Sequence, residues 1–371
     1  MRFIYLTAKG YPASTADHIY ILELAKGFNA ILKDNFLFVV ANAFGNDLQG
    51  LPVLNLHLSL QKFRTAFYFF WLPYFILRDK HTKSDSIFFS NDPNILTLLI
   101  FWKRLLRLHY RICSDWHMLF GDWRDRFIAR GSDFIVTTSA KLRRAIAADA
   151  GVSEEKILVA YGGIDVEKRE SLNISEARNQ LHLPFDKKIV SYIGFFKTMG
   201  MEKGIRTMIE SLSTLPSGVI MLFVGGKDDE IAEYIAYAET LGVAKRCVFI
   251  ARKLQSELAT YEAASDILAI PYPDKPHFRE FGFPMKVYEY MAADRPILYS
   301  KLDLVEEVIG DCAYSFIPDD AVSFAKTVEE ILGDVGRASN NAAKAYEKVK
   351  KYTWVSKADT IIQNVTSQTT R

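Results

Sequence analysis

The chain has 371 residues, of which 49% are apolar, 24% are charged and 13% are aromatic. This composition is typical of a folded globular protein and excludes a disordered chain, and the length predicts two domains rather than one. The formal net charge is +2, and we expect no nucleic-acid partner. Three cysteines, Cys113, Cys247 and Cys312, lie far apart without metal-ligand spacing, which fits a reducing cytoplasm.

The first half of the chain alternates apolar, strand-like segments with helical segments. We predict strands at residues 3–6, 36–41, 86–90, 109–114, 134–138 and 157–160, and helices at about 16–28, from 93 onward, and at 140–148. This alternation predicts a parallel sheet with helices on both faces. Ligands of such sheets bind at the carboxyl ends of the strands.

Polar or turn residues follow four of these predicted strands, in the segments 9–14, 90–93, 114–117 and 160–165. In the first segment, Gly10 would let the backbone approach a ligand closely, although a plain connecting loop is the alternative. In the third, His117 directly follows a strand, and the alternative to a site residue is a structural hydrogen-bonding histidine. Gly162 and Gly163 suit a tight turn that ends the first domain.

The second half of the chain repeats the alternating pattern. We predict strands at residues 188–194, 219–224, 247–250, 264–271, 297–300 and 314–317, and helices from about 321 and 339. The first of these strands ends in Gly194, and a basic loop with Lys197 and Lys203 leads from it into a helix. The loop after the third strand carries Arg252 and Leu254. The pattern therefore predicts a second α/β domain.

A turn-rich loop runs into a short helix at residues 280–297. Gly282 can adopt backbone angles closed to other residues, Pro284 suits the first helical position, and Asp294 closes the helix. Free backbone N–H groups then lie at the positive end of a helix dipole, where phosphate binds well.

Lys286 and Glu289 lie three residues apart on this helix and therefore share one face. The ammonium would lie near an anion at the helix start, and the carboxylate would accept hydrogen bonds from hydroxyl groups one turn deeper. A phosphate together with hydroxyls indicates a nucleotide. The alternative is a half-buried helix with an internal Lys–Glu ion pair.

The sequence Pro-Met-Lys-Val-Tyr-Glu-Tyr-Met-Ala-Ala at residues 284–293 resembles the donor-binding helix of the retaining glycosyltransferases of family four, among the group 1 glycosyltransferases. Enzymes of that family have the GT-B fold, an α/β fold of two Rossmann-like domains whose parallel sheets face each other across a cleft. The resemblance implies an acceptor-side domain at residues 1–168, a donor-binding domain at 169–354, and a last helix at about 355–371 that packs back on the first domain.

The resemblance also implies a set of site residues. Those expected to bind the donor are Gly10, Gly194, Lys197, Lys203, Arg252, Leu254, Gly282, Phe283, Pro284, Lys286 and Glu289. The catalytic candidates are His117, Lys203 and Glu280. By resemblance Glu289 holds the nucleotide ribose, Lys203 the pyrophosphate, and the loop at Arg252 and Leu254 the base through its main chain.

Two positions depart from the family pattern. The family usually has a glutamate eight residues before the ribose-binding one, where this chain has Phe281, and Glu280 is the expected substitute. The family also usually has an arginine after the strand that ends in Gly194, where this chain has Phe195. Lys197 is expected to replace that arginine, as a point charge instead of a bidentate fork.

The implied reaction moves a sugar from a nucleoside diphosphate sugar to a hydroxyl of a sugar or lipid-linked acceptor, as in surface polysaccharide or glycolipid synthesis. Charge grows on the leaving pyrophosphate, and fixed lysines would stabilise it. The sequence contains no Asp-x-Asp, so neither a metal nor another cofactor is expected. By resemblance the anomeric configuration is retained, through front-face attack.

Other reactions lack their motifs: there is no Gly-x-Ser-x-Gly, His-Glu-x-x-His, Gly-Lys-Ser/Thr phosphate loop, or Gly-x-Gly-x-x-Gly after the first strand. Two alternatives keep the same fold. The first is a catalytically degenerate subunit that binds nucleotides without turnover, and the second is a nucleotide-sugar epimerase.

Residues 65–77 form the most apolar window, but its 13 residues include Pro73 and are too few to span a bilayer. Lys62, Arg64, Arg78 and Lys80 flank the window. It is therefore either a buried packing helix or an interfacial helix on an anionic membrane surface. Since residues 1–7 resemble a strand and not a signal peptide, we expect a cytoplasmic protein, peripheral at the inner membrane face.

Overall fold

The computed structural model describes residues 1–12, 15–44, 48–78, 85–167, 169, 172–281 and 285–367. The chain divides into two units. Unit 1 comprises residues 1–163 and 352–371, and unit 2 comprises residues 164–351. No helix among the described residues is both long enough and apolar enough to cross a bilayer.

Unit 1 is built on a parallel sheet of seven strands. They are β1 (Arg2–Tyr11), β2 (Phe36–Ala43), β3 (Val53–Asn55), β4 (Ser86–Ser90), β5 (Arg111–Trp116), β6 (Phe134–Thr137) and β7 (Ile157–Val159). Their order is β3-β2-β1-β4-β5-β6-β7, so the strand order reverses between β1 and β4. Every residue of β4 is buried, as expected for a sheet covered on both faces.

Among the described residues, five helices connect these strands: α1 (Ala16–Leu32), α2 (Arg64–Arg78), α3 (Pro93–Leu105), α4 (Trp123–Gly131) and α5 (Ala140–Ala150). Local sequence explains where two of them begin. The Asp92 carboxylate accepts hydrogen bonds from the first free N–H groups of α3, with Pro93 at the first helical position, and the Ser139 hydroxyl accepts one at the start of α5.

Unit 2 contains a six-stranded parallel sheet and a short hairpin. The sheet strands are β8 (Lys188–Ile193), β11 (Val219–Gly226), β12 (Cys247–Ala251), β13 (Ile267–Ile270), β14 (Ile297–Ser300) and β15 (Tyr314–Phe316). The hairpin consists of β9 (Lys197–Thr198) and β10 (Met201–Glu202). The sheet order is β12-β11-β8-β13-β14-β15. The order reverses between β8 and β13, and such a switch point is where ligands of open α/β sheets bind.

The helices of unit 2 are α6 (Ile174–Gln180), α7 (Ile205–Ser211), α8 (Asp228–Thr240), α9 (Gln255–Ala263), α10 (Lys286–Ala292), α11 (Asp303–Ile309), α12 (Ala321–Gly333) and α13 (Val335–Val349). The last helix, α14 (Trp354–Ser367), belongs to unit 1. Both sheets are parallel and flanked by helices, so the chain has the predicted α/β fold of two Rossmann-like domains.

Trp354 shows why the second crossing between the units lies earlier than the predicted boundary at residue 354. Its ring meets that of Tyr20 at 5.4 Å between centroids, and its backbone lies so close to Gly27 that a Cβ there would be 2.5 Å from the Trp354 carbonyl oxygen. Gly163 is equally tight, since its Cβ would be 2.7 Å from the indole ring. Trp354 therefore packs into unit 1.

Gly10 does not lie in a loop, contrary to the prediction for residues 9–14. Strand β1 continues to Tyr11, and after a register shift between Thr7 and Gly10 it pairs Gly10 with Asn42 of β2. The Arg64 guanidinium donates a hydrogen bond of 2.7 Å to the Ala8 carbonyl, and a Cβ at Gly10 would lie 3.3 Å from its Nη2. The glycine leaves room for this arginine beside the strand.

Candidate functional site

Gly194 follows the carboxyl end of β8 in unit 2 and determines the local backbone conformation there. This residue has φ +144°, a conformation that favours glycine, and its N–H donates a hydrogen bond of 2.7 Å to the Val224 carbonyl. A Cβ at this position would lie 2.5 Å from Lys286 Nζ. The Lys286 ammonium therefore packs directly on the Gly194 backbone, at the switch point of the sheet.

Tyr290 fixes helix α10 to the same strand end. The Ile193 N–H donates a hydrogen bond of 2.9 Å to the Tyr290 hydroxyl oxygen. Lys286 Nζ lies 5.3 Å from the Tyr290 ring centroid and 5.2 Å from that of Tyr192. Lys286 is only 9% exposed, and two aromatic faces partly compensate its charge.

Lys203 reaches the same region from the segment between β10 and α7. The adjoining Gly204 has φ +83°, and a Cβ there would lie 1.6 Å from the Pro271 carbonyl oxygen. This close approach places the Lys203 backbone against the end of β13. Lys203 Nζ lies 5.7 Å from the ring centroid of Tyr272, two residues beyond β13.

The two ammonium groups repel each other, and we refer to Lys203 and Lys286 as the lysine pair. Burial lowers the pKa of Lys203 to about 8, with the charge of Lys286 as the second cause. Burial also lowers the pKa of Lys286, against the opposite effect of Glu289. No carboxylate of the described residues forms an ion pair with either lysine. An anion bound here would offset both the repulsion between the two ammonium groups and the cost of burying their charges.

Glu289 supplies a hydrogen-bond acceptor close to the lysine pair. Its Oε1 accepts a hydrogen bond of 2.7 Å from Nε2 of Gln255, the first residue of α9. Its charge, after burial, is the second cause that raises the pKa of Tyr272, whose ring Lys203 approaches. Glu289 is thus held by Gln255 and not by an internal ion pair with Lys286, which is evidence against the alternative interpretation of this helix.

Lys197, the expected second pyrophosphate cation, has a carboxylate partner in the structure. Its Nζ forms an ion pair of 2.6 Å with Glu233, whose other oxygen pairs with Arg206 at 2.7 Å. The predicted loop here is the hairpin of β9 and β10, which carries Lys197 toward α8. The charge of Lys197 is therefore neutralised by α8.

The loop after β12, which we expected to bind the base, is exposed. The Arg252 guanidinium lies 4.2 Å from the ring centroid of Phe195, the residue that occupies the family's arginine position. The Leu254 N–H donates a hydrogen bond of 2.8 Å to Glu257 Oε2. That main-chain donor, which we expected to help read the base, is satisfied by its own helix.

The loop before α10 is described only in part. Gly282, Phe283 and Pro284 lie outside the described residues. Glu280 lies in a π-helical turn (His277–Phe281), and α10 begins at Lys286 within the described residues. The same turn contains His277, whose pKa is lowered by burial and then by the charge of Lys203. Sequence reasoning missed His277, for which its position before α10 was the only signal.

The remaining predicted site residue lies in unit 1. His117 follows β5, and its Nε2 lies 3.2 Å from Oδ2 of Asp115. Its ring meets the Tyr20 ring edge-on, with 4.3 Å between centroids. Sequence reasoning selected His117 and missed Asp115, although both belong to the same polar segment. The described part of unit 2 thus brings together Gly194, Lys203, Lys286 and Glu289, whereas Gly10 and His117 belong to unit 1.

Two Rossmann-like domains, each built on a parallel sheet, are typical of the GT-B fold. Residues 187–334 match the family model described as Glycosyl transferases group 1. The D-inositol 3-phosphate glycosyltransferase of Xylanimonas cellulosilytica is 23% identical over 238 residues, which cover 61% of this chain and 55% of the relative. Over residues 187–334, which make up most of unit 2, the chain is similar to the group 1 glycosyltransferases.

The chain spans about half the length of the curated relatives it matches. Solved structures resemble it over more of its length. HepE of Anabaena, solved with UDP, has a TM-score of 0.77 and 17% identity over 99% of this chain and 100% of its own. Sucrose-phosphate synthase of Thermosynechococcus elongatus has a TM-score of 0.73 and 18% identity over 100% of both chains. At these identities the likeness establishes the GT-B fold.

Proposed function

We propose that the protein is a retaining glycosyltransferase that moves a sugar from a nucleoside diphosphate sugar to a hydroxyl acceptor. The observation that carries this proposal is the lysine pair. Lys203 is half-buried and Lys286 is buried, and neither has a carboxylate partner among the described residues. The match of residues 187–334 to the family model of the group 1 glycosyltransferases supports it. Retention of configuration follows from the family resemblance of the donor helix.

Each group has a distinct task in the proposed reaction. When the bond from the anomeric carbon to phosphate breaks, negative charge grows on the leaving diphosphate, and Lys203 and Lys286 stabilise it. Glu289, held by Gln255, accepts hydrogen bonds from the ribose hydroxyls. Because two fixed cations already face the diphosphate, we propose a reaction that needs no metal or other cofactor.

Unit 2 binds the donor in this proposal, and unit 1 binds the acceptor, a sugar or a lipid-linked sugar of surface polysaccharide or glycolipid synthesis. The structure of Anabaena HepE with UDP-glucose makes UDP-glucose the first donor to examine.

Release of nucleoside diphosphate from a panel of nucleotide sugars tests the proposal, with EDTA present and with sugar and lipid acceptors added. A glycosyltransferase releases diphosphate and transfers the sugar to one acceptor. A degenerate binding subunit would bind a donor and release nothing, and an epimerase would change the sugar while keeping it on the nucleotide. Either of these two results would contradict the proposal.

Binding of the diphosphate should depend on pH through Lys203. Its pKa of about 8 lies below the ordinary 10.5, and a bound diphosphate raises it again. Binding at pH 8 should therefore take up about half a proton, and affinity should fall as the pH rises above 8. Calorimetry in buffers of different ionisation enthalpy measures this uptake. Lys203→Met should reduce it, and undiminished uptake in this variant would contradict the assignment.

Helix α2 has one buried face and one exposed face. Tyr68, Leu72 and Ile76 are buried against unit 1. On another face Phe70 is 74% exposed, and Tyr74 is also exposed. Further exposed apolar residues lie on the segment before α2, at its end and on α3: Phe63, Leu77, Phe101 and Leu105. We call this set, with Phe70 and Tyr74, the aromatic face.

We propose that the aromatic face attaches the protein to the inner face of an anionic membrane, where a lipid-linked acceptor would be found. Exposed Lys62 and Arg78 at the two ends of α2 support an anionic surface as the partner. Phe69 and Phe101 join α2 and α3, with 6.0 Å between ring centroids.

Phe70→Glu is expected to reduce cosedimentation with phosphatidylglycerol-containing vesicles at low salt by about ten-fold. It removes one aromatic side chain that would enter the membrane interface, and it adds a negative charge that the anionic lipids repel. Phe185→Glu is the matched control, since Phe185 of unit 2 is 62% exposed and lies outside the aromatic face. Failure of the wild type to sediment with these vesicles would contradict the membrane proposal.

A further inference from the structure

Asp115 is a buried carboxylate at the end of β5, and its side chain is 0% exposed. Its Oδ2 accepts a hydrogen bond of 2.8 Å from the Tyr20 hydroxyl and lies 3.2 Å from His117 Nε2. Its Oδ1 has no partner among the described residues. Burying a carboxylate with one unpaired oxygen costs free energy. The groups around Asp115 that compensate its charge therefore decide whether it is protonated or ionised.

Lys357 of α14 lies behind Asp115 and is only 4% exposed. Its Nζ donates a hydrogen bond of 2.7 Å to the Ala160 carbonyl and lies 4.9 Å from the Tyr20 ring centroid. Burial alone would raise the pKa of Asp115, but the charges of His117 and Lys357 and the hydrogen bonds from His117 and Tyr20 lower it below the ordinary value. When His117 is neutral, the charge of Lys357 and the hydrogen bonds from His117 and Tyr20 still favour the ionised carboxylate.

An ionised carboxylate can only accept hydrogen bonds, so the nitrogen of His117 that faces it must carry a proton. That nitrogen is Nε2. In the neutral imidazole the other nitrogen, Nδ1, then keeps its lone pair. Nδ1 has no hydrogen-bond partner among the described residues, and the side chain is 37% exposed. The edge-on contact with Tyr20 holds the ring on one side.

We propose that Asp115 is a positioning residue that fixes His117 as the Nε2–H tautomer and presents Nδ1 as the acceptor of a hydrogen bond from a ligand hydroxyl. Tyr20 and Lys357 support it: the tyrosine by its hydrogen bond to Oδ2, and the lysine by its charge. That the hydroxyl belongs to a sugar rests on the proposed function, whereas the tautomer does not.

The tautomer of His117 can be measured on the full chain, labelled with ¹⁵N-histidine, by long-range ¹H–¹⁵N correlation at a pH where the ring is neutral. The chain has seven histidines, and the signal lost in His117→Gln identifies the right one. We expect the Nε2–H form to exceed the Nδ1–H form by at least about ten-fold, because a hydrogen bond to a charged group separates the two forms. A proton on Nδ1 in the wild type would overturn the proposal.

Asp115→Asn removes the charge, and its amide can donate to the ring, so the preference for Nε2–H should be lost. Asp125→Asn is the matched control: Asp125 is a buried carboxylate of the same unit that accepts hydrogen bonds from the backbone N–H groups of Phe120 and Gly121. An unchanged tautomer in Asp115→Asn, or the same loss in Asp125→Asn, would overturn the proposal.

Tyr20→Phe keeps the aromatic ring and removes only its hydrogen bond to Asp115. This variant provides a test if Asp115→Asn does not fold. The Nε2–H form should persist in it, and its loss would show that Tyr20, and not Asp115, sets the tautomer. Because none of these measurements needs a substrate, their failure would leave the donor site of unit 2 unaffected, and failure of the donor site would leave the tautomer result standing.

Discussion

Replacement of Lys286 by methionine is expected to lower kcat for sugar transfer by about a hundred-fold or more while the protein stays folded. The ammonium that packs on Gly194 is one of two fixed cations at the proposed diphosphate position, and loss of one preorganised charge-stabilising group has an effect of this size. Methionine fills a similar volume without the charge. Because Lys286 is a buried cation without an ion-pair partner among the described residues, its removal should not lower Tm.

Lys197→Met is the matched control for this experiment. It also removes one ammonium from the same unit, but that ammonium pairs with Glu233 at 2.6 Å. We expect kcat within a few-fold of the wild type, since exposed ion pairs contribute little. Wild-type kcat in Lys286→Met would contradict the role of the lysine pair. An equal fall in kcat in both variants would contradict the claim that Lys197, because it pairs with Glu233, does not act on the diphosphate.

Glu289→Gln is expected to weaken binding of the nucleoside diphosphate by about ten-fold or more and to leave binding of inorganic pyrophosphate unchanged or stronger. The carboxylate accepts hydrogen bonds from ribose hydroxyls in the proposed complex, and a charged acceptor contributes about 1.5–3 kcal/mol per hydrogen bond. Pyrophosphate has no ribose, and it would instead gain from the loss of a nearby negative charge. Isothermal titration calorimetry with both ligands separates the two effects.

Glu257→Gln is the control for Glu289, because it neutralises a carboxylate on the neighbouring helix α9 that binds the Leu254 N–H. Its affinity for the nucleoside diphosphate should equal that of the wild type. Unchanged affinity in Glu289→Gln would remove the ribose contact from the account. An equal loss for nucleoside diphosphate and pyrophosphate would show that Glu289 acts on the phosphates or on the fold.

The fold could be predicted from the sequence because most strands of both sheets are short apolar segments between clear turn signals. The predicted strands at 86–90 and 297–300 coincide with β4 and β14. Pattern alone could not find the true length of β1, since Lys9 and Gly10 are polar or flexible and look like a loop. Pairing with β2 after the register shift keeps these residues in the sheet, and such long-range pairing leaves no local signal.

The parts of the candidate site that lie in a local sequence motif could be predicted. The parts that depend on contacts between residues far apart in the sequence could not. The spacing of Lys286 and Glu289 and the Lys203-Gly204 pair were visible in the sequence. The ion pair of Lys197 with Glu233 of helix α8 was not visible, and neither was the contact of Lys357 with the Tyr20 ring. Charged residues that come into contact only in the tertiary structure leave no periodic pattern in the sequence.

The most direct test of the central claim, that the lysine pair and Glu289 form a nucleoside diphosphate site in unit 2, is a thermal-shift measurement. Wild type, Lys203→Met, Lys286→Met, Glu289→Gln and the control Lys197→Met would be compared with UDP, GDP, ADP, CMP and dTDP. At about 100 times Kd one diphosphate should raise the wild-type Tm by several degrees. The first three variants should reduce this rise and Lys197→Met should keep it. No rise with any nucleotide, or an equal rise in all five proteins, would contradict the claim.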